Sequence, residues 1–383
     1  MRGFLGLAIV SRTFLNPVRR CLYGHLSIEG PERFLLLTGQ LRFQPHLAKF
    51  VKGATLISAC QASTTIDWGL PEYKQAAGLD LPRPMSVVAF ERFLDACPQL
   101  KRVTMHGLDF VWPLSVLDPK DVKLQRIRIR ACNRCTEHGC PNELSGGAWL
   151  SNILTFPDLV ELEVEQLAFR GDQADPVRGM PQTLRSTATE LTVCSINPNV
   201  VKPASLENLL RAMPRVRELV LDGLHNISPP QMKHLLAIPG PNLTILSINS
   251  YRGMRGVPLR LDDTVFTRMR RLEQLALNNV ETVPAFLSSL PPTIRTLRLS
   301  EAALSAFSYP AFSKWLKTRP FPQPNLKEVS LFGEIRPGPG ADKDRIKQLC
   351  KDMGIEATIR MGVWDDSGSD GDDDLEGGVL GAL

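Results

Sequence analysis

The sequence predicts an α/β solenoid, in which a curved parallel sheet carries helices on its convex side. Three observations support this prediction. A short apolar pattern, leucine-x-x-leucine-x-leucine, recurs nine times between residues 100 and 331, successive copies start 22 to 35 residues apart, and a proline stands two residues before five of the copies. One copy alone means little, because an amphipathic helix can produce it by chance. Nine copies at a near-constant spacing indicate units that bury their apolar edges by stacking on one another.

Each copy supplies three apolar positions, the last two of which alternate with exposed positions as a strand requires. The nine sets are Leu100/Val103/Met105, Leu124/Ile127/Ile129, Leu159/Leu162/Val164, Ala188/Leu191/Val193, Val216/Leu219/Leu221, Leu243/Leu246/Ile248, Leu272/Leu275/Leu277, Ile294/Leu297/Leu299 and Leu326/Val329/Leu331. This spacing is typical of leucine-rich repeats. We therefore interpret residues 100–363 as a leucine-rich-repeat solenoid.

Between the copies the apolar spacing changes to that of a helix. Two examples are Phe90/Phe93/Leu94/Cys97 and Leu206/Leu209/Leu210/Met213. The prolines end these helices and direct the chain into extended structure. Each unit is expected to be a strand followed by a covering helix. Of the nine positions where the repeat usually carries asparagine or cysteine, only Cys132 fits, so apolar contacts are expected to pack these turns instead.

Composition limits the class of protein. The chain has 383 residues, 43% of them apolar and 22% charged, and no run approaches the roughly 18 apolar residues of a membrane span. The net charge of +5 is uneven, because residues 364–383 hold seven acids and no lysine or arginine; the remaining 45 basic and 33 acidic residues give +12. Without clustering, this charge favours a solvated surface over a nucleic-acid interface.

Two features of the sequence bear on the compartment. Eight cysteines spread along the chain do not resemble a disulfide framework, which favours a reducing compartment, the cytoplasm or the nucleus. The first 28 residues contain four arginines and no acid, so a mitochondrial presequence stays open as an alternative. A secretory signal is less favoured, because no small-residue cleavage site follows the apolar run.

Residues 5–28 resemble the closing half of an F-box followed by its first strand, as in fungal F-box proteins with leucine-rich repeats. The residues that carry the resemblance are Ile9, Val10, Ser11, Arg12, Phe14, Leu22, Tyr23, Leu26 and Ile28, and residues 29–37 and 45–56 continue it with a helix and a strand. The resemblance implies the substrate-recognition subunit of a cullin-type ubiquitin ligase, with a Skp-type adaptor, a cullin and an unknown protein substrate as partners. The opening half, which grips the adaptor, would lie upstream of Met1. A Skp-independent repeat scaffold with a decayed F-box is the alternative.

The predicted organisation has four parts. Residues 1–21 form a partial, helical F-box-like segment, and residues 22–99 an irregular repeat region that contains a loop insertion at 59–86. The regular repeats follow at 100–363. Residues 364–383 are rich in aspartate, glycine and serine, a composition that predicts a disordered acidic tail.

One cluster of possible metal ligands lies within nine residues: Cys132, Cys135, His138 and Cys140. Thiolate and imidazole are the ligands of a closed zinc site, but this spacing is tighter than the usual separated pairs. A surface loop is the favoured interpretation, so no metal and no cofactor is predicted. No nucleophile elbow or phosphate loop is present, and the sequence does not predict catalysis.

The predicted binding site is the concave face of the sheet. Residues that alternate with the buried leucines point to that face. Those proposed to contact a protein partner are Arg126, Arg128, Arg130, Glu161, Glu163, Glu165, Glu190, Glu218 and Asp222. Two interpretations remain open: the arginine and glutamate strands pair with each other across the sheet, or this charge pattern selects a partner of complementary charge.

Overall fold

The described residues form an α/β solenoid built on one parallel sheet of twelve strands. The computed structural model describes residues 12–57, 87–107, 110–130, 149–165, 180–194, 203–223, 227–250, 259–283, 285–300, 304, 309–318, 325–333 and 341–360. The predicted loop insertion at 59–86 and the predicted acidic tail at 364–383 lie outside these residues.

The strands of the main sheet are each five residues long. They are β1 (His25–Glu29), β2 (Gly53–Ile57), β3 (Arg102–His106), β4 (Arg126–Arg130), β5 (Glu161–Glu165), β6 (Glu190–Cys194), β7 (Glu218–Asp222), β8 (Ile245–Asn249), β10 (Gln274–Asn278), β12 (Thr296–Ser300), β13 (Glu328–Phe332) and β14 (Glu356–Arg360). Two shorter strands, β9 (Leu259–Arg260) and β11 (Val280–Glu281), pair separately with each other. In the main sheet every strand pairs with its neighbour in chain order.

The helices form the second layer. They are α1 (Arg12–Tyr23), α2 (Gly30–Phe43), α3 (Pro45–Ala48), α4 (Val87–Ala96), α5 (Val111–Ser115), α6 (Trp149–Ile153), α7 (Pro203–Ala212), α8 (Pro229–Ala237), α9 (Phe286–Ser289), α10 (Tyr309–Thr318) and α11 (Ala341–Asp352), with 3-10 helices at Pro119–Asp121 and Asp263–Arg268. None of these helices is long and apolar enough to cross a membrane.

The predicted ladder of leucines is confirmed. All three inward positions in each of the nine predicted copies are buried, none more than 4% exposed. Neighbouring strands pair residue for residue, so that Ile127 lies opposite Leu162 and Leu162 opposite Leu191. Each apolar side chain is therefore covered by the equivalent side chains of the units on either side.

The curvature follows from the widths of the two layers. A helix with its side chains is roughly 10 Å wide, whereas neighbouring strands lie about 4.8 Å apart. Along β4 and β5 the residues between the buried positions are exposed or half-buried, so that face of the sheet is open and the helices pack on the other face. Because the helix layer needs more room than the strand layer, the helices take the convex side and the open face is concave.

Helices and strands outside the regular ladder also match the sequence. The strands β1, β2 and β14 extend the sheet at its two ends, and β1 and β2 lie where the sequence predicts additional strands. The predicted apolar faces of α4 and α7 are buried, with Phe90 and Phe93 on the first and Leu206 and Leu210 on the second.

The expectation of one α-helix in every unit is only partly correct. The connection after β8 contains the 3-10 helix Asp263–Arg268, and the described residues 180–189 ahead of β6 contain no helix. The sequence also did not predict the pairing of β9 with β11. The helical spacing of apolar residues was identified ahead of β3 and β7, and the expectation extended it to connections in which it had not been found.

The chain leaves several strands through a residue with positive φ. These residues are Gly107, Gly223, Asn279 and Gly333, with φ of 91°, 70°, 52° and 116°. Each one immediately follows a strand and donates its N–H toward the next unit, as Asn279 does to the Ser300 carbonyl at 3.2 Å. Asn279 is the only residue other than glycine with positive φ in the described part of the chain, and its side-chain Nδ2 donates to the Ser250 carbonyl at 2.7 Å. Through its backbone N–H and its side-chain amide, Asn279 thus contacts the units on both sides of its own.

Four phenylalanines pack together in the N-terminal part of the solenoid. Phe34 of α2 contacts Phe90 and Phe93 of α4 and Phe110 ahead of α5, with ring centroids 5.9, 4.9 and 5.6 Å apart. All four rings are fully buried. This aromatic cluster joins three helices across the region where regular repeats begin.

We expect Phe93→Ala to lower the free energy of unfolding by about 3–5 kcal/mol, because it leaves a cavity inside this cluster. Phe43→Ala is the matched control: Phe43 lies on α2 but is 89% exposed. The control should change stability by less than about 0.5 kcal/mol. Urea denaturation followed by circular dichroism measures both, and equal losses would contradict the packing described here.

We expect Asn279→Ala to lower the free energy of unfolding by about 1–2 kcal/mol, since alanine at positive φ is strained and the hydrogen bond to Ser250 is lost. Asn279→Gly loses the same hydrogen bond but adopts positive φ freely. The glycine variant should therefore be the more stable of the two in thermal or urea unfolding. A glycine variant no more stable than the alanine variant would show that the backbone conformation contributes nothing.

Candidate functional site

The candidate site is the open concave face of β4 to β7. The strand β4 carries Arg126, Arg128 and Arg130 on this face, and the next strand carries Glu161, Glu163 and Glu165. Because the two strands pair in register, each arginine lies directly opposite one glutamate. The structure therefore brings together the six charged residues that the sequence placed on neighbouring strands.

These six side chains form an ion-pair ladder. Arg126 Nε lies 3.1 Å from Glu161 Oε2, Arg128 Nε lies 3.3 Å from Glu163 Oε2, and Arg130 Nε lies 3.4 Å from Glu165 Oε2. Arg128 also donates to Glu165, so it bridges two carboxylates. This is the first of the two interpretations left open by the sequence, pairing across the sheet. Whether these residues also contact a partner stays a prediction.

The ladder becomes more shielded from water toward the carboxyl ends of β4 and β5. Glu163 and Glu165 have side-chain exposures of 20% and 12%, compared with 51% for Arg126. Burial, together with its contacts to Glu165 and Glu161, raises the pKa of Glu163 to about 7, although Arg128 acts in the opposite direction. Glu163 is therefore partly protonated near neutral pH and can share a proton with Glu165.

Beyond the ladder the acidic side chains have no arginine opposite them. In register, Glu161 is followed by Glu190 on β6 and Glu218 on β7. Glu190, Glu218 and Asp222 form no salt bridge with any residue of the described ranges. Burial, and then the charges of Glu218 and Glu161, raise the pKa of Glu190. We call Glu190, Glu218 and Asp222 the acidic centre.

Asp222 lies at the carboxyl end of β7. Burial raises its pKa, while hydrogen bonds from the Asn249 side chain and the Gly223 N–H lower it. Its Oδ1 is buried and has no hydrogen-bond partner in the described part of the chain.

On the opposite side of the ladder, β3 is less negatively charged than β6 and β7. On β3, Arg102 is exposed and His106 is half-buried. Burial lowers the pKa of His106, and the neighbouring Arg130 and Arg128 lower it further. The histidine is therefore neutral at physiological pH, and Arg102 supplies the positive charge of this strand.

One group on this face resembles a metal site. Ligand atoms of Glu163, Glu165 and Cys194 lie within 4.8 Å of one another. The two carboxylates are already paired with Arg128 and Arg130, and burial raises the pKa of the Cys194 thiol, so the thiolate that binds metal best is disfavoured. This donor set does not fit a metal ion. The predicted cluster Cys132, Cys135, His138 and Cys140 lies outside the described residues.

The predicted F-box-like residues lie at the start of the described chain. Leu22 and Tyr23 end α1 and are half-buried, and Tyr23 packs against the hydrophobic core. α1 contacts β1 and α3. Phe14 belongs to α1, while Ile9, Val10 and Ser11 lie outside the described residues.

Sequence reasoning missed a second charged cluster, at the rim where the strands begin. Arg215, Arg217 and Arg271 line one cavity there. The signal for it was present: each arginine adjoins the first apolar position of a repeat, Val216 or Leu272, but alternation along the strand does not include these positions.

Comparison with known proteins includes a distant structural likeness. No protein-family model and no curated protein matches the chain. Among solved structures, the chain is similar to the complex of Rad7 and Elc1 from yeast, with 14% identity, coverage of 76% of this chain and 73% of that chain, and a TM-score of 0.38. A likeness at this level assigns neither a family nor a function.

We expect Arg128→Ala to lower the free energy of unfolding by about 1–2 kcal/mol, because two neighbouring carboxylates lose their shared cation. Arg126→Ala is the matched control, because it removes a single ion pair that is more exposed than those of Arg128. It should lower the free energy of unfolding by less than about 1 kcal/mol. Chemical denaturation of both variants at pH 7 compares them. A larger loss for Arg126→Ala would show that the central bridge does not stabilise the ladder.

Proposed function

We propose that this protein is the substrate-recognition subunit of a cullin-type ubiquitin ligase and binds its protein target on the concave face. In this role the chain positions the target, while other subunits carry out the transfer of ubiquitin. The proposed partners are a Skp-type adaptor, a cullin and a protein substrate. The proposed compartment is the cytoplasm or the nucleus.

Two lines of argument support the ligase role. The sequence of residues 5–28 resembles the end of an F-box and its first strand, and the order of α1 followed directly by β1 agrees with that resemblance. The repeats that follow form an open solenoid, a fold that offers an extended concave surface to partners. A Skp-independent repeat scaffold would use the same surface without the ligase subunits, and it is the alternative.

The acidic centre is the observation that carries the binding proposal. Three arginines and six acidic side chains occupy the concave face of β4 to β7, which gives a formal charge of −3 when every carboxyl group is ionised. The arginines are all used within the ladder, so the excess negative charge lies on β6 and β7. A cationic segment of a protein fits this surface, because complementary charge increases both specificity and the association rate.

The test is affinity purification of the protein, tagged at its own locus, followed by mass spectrometry. We expect Glu190→Gln with Glu218→Gln to lose the bound target while it retains adaptor and cullin. The control is Glu91→Gln with Asp95→Asn, which removes two exposed acids from the helix layer and should retain all partners.

The outcomes separate the two functions. Failure to recover adaptor and cullin with the wild-type protein would contradict the ligase role and favour the scaffold. A target that is recovered equally with the Glu190/Glu218 variant and the control would contradict binding at the acidic centre.

A further inference from the structure

The outward side of α2 carries apolar side chains that none of the described residues covers. Leu35, Leu36 and Phe43 are 52%, 69% and 89% exposed, and they are three of the six large apolar side chains exposed in the described part of the chain. Single exposed apolar residues are ordinary on a folded protein, but several on one helix form a patch, and such a patch marks an interaction surface. α2 belongs to the helix layer, so this patch lies on the opposite side of the sheet from the acidic centre.

The patch is organised by the helical spacing of α2. Its buried side carries Phe34 and Leu41, which pack into the core. Residues three, four or seven positions apart lie on one side of a helix, so a second row runs along the opposite side. The members of this row, at intervals of four, three and four, are Glu32, Leu36, Gly39 and Phe43. We call it the outer row, and Leu35 lies beside it.

Gly39, in the middle of the outer row, is not required by the packing of α2. Its backbone is helical without positive φ, and a Cβ added to it would meet no atom within 4 Å. Glycine inside a helix is less favourable than alanine, so its presence there has a cost to stability. The missing side chain leaves a gap beside the exposed Leu36, where the backbone of another helix can approach closely.

The outer row reads the same in both directions, because its intervals are four, three and four. A second α2 in antiparallel orientation therefore places Glu32 at the level of Phe43, and Leu36 at the level of Gly39. The leucine of each copy lies at the gap of the other. A surface with this property pairs with its own copy about a two-fold axis. Alternating intervals of three and four are also the spacing at which two helices pack along a common seam.

The charges at the two ends of α2 match in the same orientation. Glu32 lies in the first turn of α2 and Arg42 in the last. Both are exposed, and neither forms a salt bridge with any residue of the described ranges. Antiparallel pairing brings Glu32 of each copy next to Arg42 of the other. Parallel pairing would place like charges together, so charge favours the antiparallel arrangement.

We infer that the outer row of α2 is an interface between two copies of this protein, packed antiparallel with Leu36 of each copy at Gly39 of the other. One helix face is smaller than the roughly 800 Å² per partner of a stable interface, so the dimer is weak and reversible, with Kd on the order of 10–100 µM. Both concave faces stay open, because α2 lies in the helix layer. The inference does not depend on the proposed function.

Sedimentation velocity of the full chain, from about 1 to about 200 µM, tests the interface. The sedimentation coefficient of the wild-type protein should rise with concentration toward that of a dimer. Leu36→Lys places a charge at the centre of the outer row and should weaken the dimer at least about tenfold. The matched control is Val116→Lys, because Val116 is also exposed but follows α5, and it should dimerise as the wild type does. Circular dichroism verifies that both variants fold.

A charge exchange tests the antiparallel arrangement. Glu32→Arg alone and Arg42→Glu alone each place like charges together at both ends of the interface, so each should weaken the dimer about tenfold. An equal mixture of the two variants should form a heterodimer about as tightly as the wild type, because opposite charges then meet at both ends. Both substitutions in one chain should likewise restore the dimer.

Three results would overturn the inference. A wild-type protein that stays monomeric up to about 200 µM would assign the outer row to a different protein or to another segment of this chain. Dimerisation of Leu36→Lys equal to that of the wild type would exclude the outer row as the contact. Glu32→Arg and Arg42→Glu variants that associate no better together than alone would exclude the antiparallel pairing.

Discussion

In-register pairing of parallel strands is the constraint on which the rest of this structure depends. A five-residue strand with two inward side chains cannot bury them alone, and each unit becomes stable only between its neighbours. Ile127, Leu162 and Leu191 illustrate this, because they lie side by side on three successive strands and are at most 1% exposed. The same register that stacks the apolar side chains also aligns the polar ones on the other face. The position of every charged residue on the concave face is therefore a consequence of how the core is packed.

On the concave face, register decides which charges are neutralised. Three arginines on β4 meet three glutamates on β5, so these side chains satisfy one another without a partner. The next strand presents Glu190 opposite Glu161, and pairing stops because no cation lies opposite. At the rim the reverse holds, since Arg215, Arg217 and Arg271 line a cavity whose lining contains no acidic residue. The surface thus divides into a self-neutralised ladder and two uncompensated regions of opposite sign, which is where a partner gains most from binding.

The sequence predicts the sheet well because one physical signal, the spacing of the leucines, sets both burial and register. It predicts the connections less well. The positive φ of Asn279 depends on the turn that closes each strand, and the pattern of apolar residues carries no information on it. Alternation along the strands placed the arginines and glutamates on one face, but it could not distinguish charges that pair from charges that remain available. The cavity lined by Arg215, Arg217 and Arg271 was missed because these arginines come from repeats that are two strands apart in the sheet and lie just outside the alternating positions.

The order of the main sheet follows the order of the chain from β1 to β14, and among the described residues only the short strands β9 and β11 are set apart. Each strand therefore finds its partner in a segment that has already been synthesised. A growing chain that leaves the ribosome can add one unit at a time to a stack that is already formed, beginning with the helices that meet at Phe34. No strand has to wait for a distant partner, so unpaired edges are exposed only briefly during synthesis.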